Sequence, residues 1–175
     1  ESGMSVAYND WNANHRAGQA RLMLDAVNIF NRPVKDAAVI EADELTLPLQ
    51  APRLKPDYII VTNLSHDSIR RNGHPEYIFS RLEKAVDGTP GTKLILNADC
   101  PLSSALGKDN PKVFISIDDL GEKPYRNFAD DFPVCPVCGG KPVYTYRHYR
   151  SIGKYICPVC GAHSPEGDYR ADALD

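Results

Sequence analysis

Long apolar runs are missing from this chain of 175 residues. No stretch approaches the ~20 consecutive apolar residues of a membrane-spanning helix, and none has the layout of a signal peptide. A dominant charge is missing as well. The formal net charge of −3 gives no electrostatic reason to expect a nucleic-acid or membrane surface. Low-complexity tracts are absent, and so is the phosphate-cradling loop GxxxxGK[ST]. Gly88-Thr-Pro-Gly-Thr-Lys93 holds the right letters in the wrong order, and it precedes a strand where such a loop follows one. It reads as a turn between a helix and a strand. What is left is ordinary globular material, 42% hydrophobic and 25% charged, enough for one domain and a small appendage. The opening residues Glu1-Ser2-Gly3-Met4 do not look like a natural start.

Cysteine is sparse but concentrated. Four of the five lie in Cys135-Pro-Val-Cys138-Gly139 and its echo Cys157-Pro-Val-Cys160-Gly161, with eighteen residues between the pairs. Two thiolates two residues apart reach one ion together, and four of them close a tetrahedral shell. The glycine after each second cysteine allows a turn with φ > 0 that aims backbone N–H groups at the sulfurs. Pro142 to Tyr149 and Lys154-Tyr-Ile read as the two strands of a ribbon. Disulfides or a redox dithiol are the competing reading, but a duplicated CPVCG matches a zinc ribbon better than a secreted framework. The expected metal ligands are therefore Cys135, Cys138, Cys157 and Cys160, holding a structural Zn²⁺ with no position open to substrate. This usage fits a reducing cytoplasm. Cys100 is left over, and a lone thiol is read as a packed small residue.

Ahead of the ribbon, apolar runs alternate with helical spacing. Met4 to Asn9 is a short strand. Arg16 to Phe30 is a helix with Ala20, Met23, Leu24, Val27 and Phe30 on one face. Strands follow at Ala37–Ile40, Asp57–Asn63, Lys93–Asp99 and Lys112–Ile117, with a helix over Pro75–Val86 carrying Tyr77, Ile78, Leu82 and Ala85 on one face. Pro48 to Pro56 reads as a proline-broken connection, Pro101 to Leu106 as a short helix, and Gly167 to Asp175 as a fraying acidic end. This pattern predicts an α/β fold, a mostly parallel sheet with flanking helices, plus a small β zinc ribbon. The α/β part is expected over residues 1–128 and the ribbon over 129–170. Ligands gather at the carboxyl ends of parallel strands. Those ends carry Glu41, Asp43 and Glu44, then Thr62 and Asn63, then Asn97 and Asp99. Carboxylates there suit Mg²⁺ beside a phosphate, and Glu41 and Glu44 are the candidates, with His66 and Asp67 on the next loop.

The order Ala38-Val-Ile-Glu-Ala-Asp-Glu44, Pro56-Asp-Tyr-Ile-Ile-Val-Thr-Asn63, Leu96-Asn-Ala-Asp-Cys-Pro101 and then CPVCG resembles the central ATPase domain of Mur-type peptide ligases. More narrowly, it resembles the Mur-ligase subunit of lipid II isoglutaminyl synthase, from about Asn9 to Arg170. The resemblance implies ATP-dependent amide formation. A carboxyl of the lipid II-type peptidoglycan precursor becomes an acyl phosphate, and ammonia from a glutaminase-type amidotransferase subunit converts D-glutamate to D-isoglutamine. It also implies catalytic roles for Glu41, as the Mg²⁺ contact, and for Asp67. Asn63 would line the γ-phosphate side, and Asn97 and Asp99 the base and ribose. The family's Arg-Asp-Gln-Leu-Asp-Arg-Tyr-Gly-Glu stretch reads here His66-Asp-Ser-Ile-Arg-Arg-Asn-Gly-His74, and Cys100 replaces the second aspartate of Asn-x-Asp-Asp-Pro. Without a phosphate loop, the 175-residue chain alone is expected to bind ATP negligibly and to be inactive. A diverged, non-catalytic ligase-like binding module is the alternative. A third reading takes Arg147, His148, Arg150 and Lys154 beside Tyr144, Tyr146 and Tyr149 as a nucleic-acid stripe; the two faces of a small ribbon explain it better, so no nucleic-acid partner is expected.

Overall fold

The computed structural model describes residues 3–9, 14, 16–64, 75–121, 134–149 and 152–172. Eight strands and four helices fall among them. β1 (Val6–Tyr8) and β2 (Ala37–Val39) form a parallel pair, with α1 (Arg16–Asp25) between them in sequence. α2 (Leu47–Leu54), β3 (Tyr58–Val61), α3 (Pro75–Asp87), β4 (Lys93–Asn97), α4 (Pro101–Ser104) and β5 (Lys112–Ile117) follow. β6 (Val143–Tyr149) and β7 (Ile152–Ile156) make an antiparallel hairpin, and β8 (Tyr169–Ala171) closes the series. The larger sheet has the order β3-β4-β5-β8, every neighbour parallel. The architecture is the expected α/β sheet with flanking helices plus a small ribbon. The expected division at residues 128 and 129 lies outside the described residues.

The core sits on one face of the four-stranded sheet. α3 places Ile78, Leu82, Ala85 and Val86 on one stripe, as a 3.6-residue period requires, and sets them against Ile59, Val61, Leu94 and Leu96. Tyr77, expected on that stripe, is exposed. The Gly88–Lys93 segment is a turn, tied by the Asn110 side-chain amide donating to the carbonyls of Thr89 (2.8 Å) and Thr92 (3.1 Å).

Three elements depart from the sequence reading. The connection over Pro48–Pro56 contains α2. Pro48 occupies its first turn, where no intrahelical N–H is needed. Pro52 removes one internal bond, but Ala51 is fully buried against α3, and Lys55 ends the helix in the left-handed region at φ 47°. α1 stops at Asp25, short of Phe30, because the Asn28 side chain accepts from the Phe30 and Arg32 N–H groups and turns the chain. The buried side of α1 carries Gln19 and Leu22, whereas Leu24 and Phe30 are exposed. The third departure is β8. The expected frayed end instead joins the sheet, with Asp168 receiving the Phe114 N–H on its carboxylate and donating its own N–H to the Phe114 carbonyl, both at 2.8 Å. The chain leaves the sheet after β5, forms the ribbon, and returns to pair with β5.

Candidate functional site: strand ends and a four-cysteine metal centre

The two CPVCG segments fold as matching knuckles. Gly139 and Gly161 have φ of 73° and 76°, a region open to glycine because it lacks a Cβ. Their N–H groups donate to the carbonyls of Cys135 (2.9 Å) and Cys157 (2.8 Å). The Val137 and Gly140 N–H groups point at the sulfurs of Cys135 and Cys138, each at 3.4 Å. The four Sγ atoms lie within 4.8 Å of one another, with Cys135 and Cys160 at 3.7 Å and Cys138 and Cys157 at 3.5 Å. No disulfide links them.

The donor chemistry matches a soft-tolerant divalent cation. Backbone N–H groups of Cys160 and Val159 bring the Cys157 thiol down to about 7. At Cys138 the Gly140 N–H pulls the same way, but the sulfurs of Cys160, Cys157 and Cys135 outweigh it and push that thiol up to about 12. Four crowded sulfurs cannot all ionise without a cation to neutralise them, and a tetrahedral Zn²⁺ does so.

The carboxyl ends of the strands form the second feature. Glu41 follows β2 with its side chain exposed, and its backbone is clamped from both sides by one side chain: Asn9 Oδ1 accepts its N–H (2.7 Å) and Asn9 Nδ2 donates to its carbonyl (2.9 Å). The buried Gln19 donates to the same carbonyl at 3.4 Å. Asp43 turns inward on its own chain, accepting the Leu45 N–H at 2.8 Å. Asn63 is exposed at the end of β3, beside the Thr62 hydroxyl. Asp67 and His66 lie outside the described residues.

Asn97 and Asp99 close β4. Asn97 Oδ1 accepts the Asp99 N–H (2.9 Å), and Asp99 Oδ2 accepts the Ile117 N–H at the end of β5 (2.7 Å). Asp99 is 2% exposed; desolvation holds its carboxyl above the ordinary aspartate range, opposed by the Ile117 N–H and by His148 and Lys154. Ser103 is fully buried and ties two strand ends together, donating to the Val61 carbonyl (2.8 Å) and accepting the Asn97 N–H (3.2 Å). Cys100 packs beside Leu102, its sulfur accepting the Leu64 N–H at 3.4 Å. Burial pushes this thiol up, which leaves it protonated and a poor nucleophile. The sequence reading missed Asn9, Gln19 and Ser103. Their partners are 32, 22 and 42 residues away, so no local spacing announces them.

Five of the basic and aromatic residues of the ribbon, Tyr144, Tyr146, Arg147, His148 and Lys154, are engaged within the molecule. The Arg147 guanidinium lies 3.9 Å over the Tyr144 ring. Tyr146 Oη and His148 Nε2 reach the Ile117 carbonyl at 3.0 and 3.2 Å, and Lys154 pairs with Glu166 at 2.6 Å. Arg150 lies outside the described residues.

Parallel strands with polar side chains at their carboxyl ends, Glu41 on the two-stranded sheet and Asn63, Asn97 and Asp99 on the four-stranded one, and a four-cysteine ribbon hydrogen-bonded to the ends of β4 and β5, define a ligase-like α/β domain with a structural zinc-binding site. Residues 134–168 match a family model described as the zinc-binding domain of primase-helicase. Over nearly its whole length the chain is similar to proteins named as the MurT subunit of lipid II isoglutaminyl synthase (glutamine-hydrolyzing). The protein of that name from Streptococcus pneumoniae is 29% identical over 170 residues, which is 97% of this chain and 38% of the relative. That from Staphylococcus aureus strain COL is 27% identical over 175 residues, 99% of this chain and 39% of the relative. A solved pseudomurein peptide ligase type C from Methanothermus fervidus superposes with a TM-score of 0.74 at 26% identity, covering 99% of this chain and 33% of that one. The chain thus spans about two fifths of the length of these curated relatives. Among the described residues no helix is long and apolar enough to cross a membrane.

Proposed function

We propose that this chain is the central, nucleotide-handling part of an ATP-dependent amidating ligase. It acts with a glutaminase-type amidotransferase subunit to turn D-glutamate of a lipid II-type stem peptide into D-isoglutamine in the cytoplasm. One observation carries the reading. Glu41, Asn63 and Asn97 stand at the carboxyl ends of β2, β3 and β4, in a fold whose relatives bear that activity in their names across 97% and 99% of this chain. ATP supplies the phosphoryl group that activates the carboxylate, with Mg²⁺ neutralising the charge that spreads over its oxygens. The donor set fits that ion, since Glu41 offers an exposed carboxylate on a backbone held by Asn9 and Gln19, and Mg²⁺ takes few protein oxygens beside its waters. Asp67 is assigned to the same side, Asn63 to the γ-phosphate, and Asn97 to the base and ribose, with the buried Asp99 holding Asn97 from behind.

The buried Cys100 favours a second reading. A protonated thiol inside the core cannot do what an aspartate does there for a cation or a ribose, which suits a ligase-shaped binding module that has lost turnover. The test uses the full native protein with its glutamine-hydrolysing partner, ATP, Mg²⁺ and a lipid II-type peptide. Mass spectrometry follows conversion of carboxyl to carboxamide. Wild type is expected to form the amide, and Glu41→Gln to slow it by roughly 10²-fold while retaining zinc. Absence of ATP-dependent amide from wild type would establish the binding-module reading instead.

A further inference from the structure

We infer that the zinc ribbon clamps the carboxyl edge of the large sheet, and that Asp99 is the positioning residue through which it does so. Two backbone positions carry the connection, one at the end of β4 and one at the end of β5. The Asp99 carbonyl accepts the Gly153 N–H of the hairpin at 2.8 Å. The Ile117 carbonyl accepts both Tyr146 Oη and His148 Nε2 from β6, so His148 carries its proton on Nε2. The Asp99 carboxylate then joins these two positions by accepting the Ile117 N–H. Each anchor therefore faces the hairpin with its carbonyl and its neighbour strand with another polar group.

Chain chemistry at the contact is specific. Gly153 is buried, and a Cβ there would strike the Tyr146 carbonyl oxygen and lie 2.7 Å from Arg147 Cα, so only glycine lets the two hairpin strands close while this N–H reaches Asp99. A buried carboxylate is tolerated only when its oxygens find donors. Asp99 Oδ2 finds its donor, the Ile117 N–H, on the edge it braces. Outside the buried bonds, Lys154, Glu166, Arg170 and Asp118 form a chain of exposed charges from β7 to β8 and the end of β5, at 2.6, 2.8 and 4.0 Å. Exposed pairs of this kind contribute little individually, and the buried bonds hold the clamp. Losing zinc unfolds the knuckles and withdraws the hairpin bonds from Asp99 and Ile117. The slack reaches Asn97, whose side chain is fixed by the Asp99 N–H.

The clamp stands on geometry alone; its effect on nucleotide binding rests on the function proposed above. The decisive experiment is residue-resolved hydrogen exchange on the zinc-loaded chain, comparing wild type with the Tyr146→Phe/His148→Leu double variant, which removes both donors to the Ile117 carbonyl, and Asp99→Asn with Asp99→Ala. We expect the double variant to keep its zinc yet to exchange the Gly153 and Ile117 amides about tenfold faster, with Leu82 and Leu94 unchanged. Asp99→Asn keeps an acceptor, so it should accelerate Ile117 less than Asp99→Ala. Wild-type exchange at both amides in the double variant would overturn the clamp. Equal acceleration across α3 would overturn it too, by making the effect a general loss of stability. In the full protein the double variant should also weaken ATP binding. Unchanged ATP affinity alongside faster exchange would leave the clamp standing and count against the nucleotide reading.

Discussion

The sheet and the ribbon are held together by different physics. Around β3, β4 and α3 a continuous cluster from Ala51 to Leu106 is buried, with Ala85, Leu94 and Leu106 fully excluded from water. Among the described residues of the ribbon, Cys135, Pro142, Tyr155 and Cys157 are buried, while Val137, Val143, Ile156 and Val159 face solvent. The sheet needs no ion because apolar burial offsets its chain entropy. The ribbon cannot gain enough from packing and relies on four thiolates gathered around a cation. The lesson concerns how each region fails: the first by loss of volume, the second by loss of charge neutralisation.

The largest expected effect follows from removing one sulfur. Structural zinc binds such peptides with roughly 10–16 kcal/mol of apparent free energy, so Cys138→Ser should lose its zinc and the protected amides of β6 and β7 while the sheet stays folded. A fully folded, metal-free Cys138→Ser ribbon, seen by zinc analysis and exchange, would erase the distinction. Next comes the converse change. Leu94→Ala should cost the sheet about 2–5 kcal/mol in urea unfolding and leave the zinc content unchanged. Zinc loss in that variant would mean that the two regions fold as one.

The smallest effect concerns pH. The Lys154 ammonium beside Glu166 holds its carboxyl below the ordinary range, with Arg170 adding to it. A lowered folded pKa gives stability that is present above the unfolded value and lost as pH falls through the folded one. Glu166→Gln should therefore flatten the acid side of the stability profile, its curve meeting that of wild type once pH has fallen below the lowered folded value. Asp99 works in the opposite sense, because burial raises its pKa, so its contribution is present in acid and fades as pH rises through the folded value. A Glu166→Gln profile that parallels wild type would remove Glu166 from the ribbon's attachment.

How legible each region was follows from the same difference. The ribbon was readable from spacing, because a metal site fixes its ligands within a few residues and demands a glycine at each knuckle. Strands β3, β4 and β5 were readable as continuous apolar runs, although Tyr58, Ile60 and Ile115 lie off the core face and are exposed, and Lys112–Ile117 falls where the pattern puts it. β8 was not readable. Tyr169, Arg170 and Ala171 bury little, and what makes them a strand is a partner about fifty residues earlier, fixed by Asp168 on Phe114. α2 was hidden by its prolines, whose cost is met by the contact of Ala51 with α3. At the strand ends, the letters of Glu41, Asn63, Asn97 and Asp99 were visible, but their supports were not, since Asn9, Gln19 and Ser103 act across distant segments.

One measurement tests the central division most directly: calorimetric unfolding of the zinc-loaded chain with and without a strong chelator. Chelation should abolish the heat absorbed by the ribbon and move the sheet's transition by only a few degrees. Loss of the entire transition on chelation, or a thermogram that does not change, would contradict it.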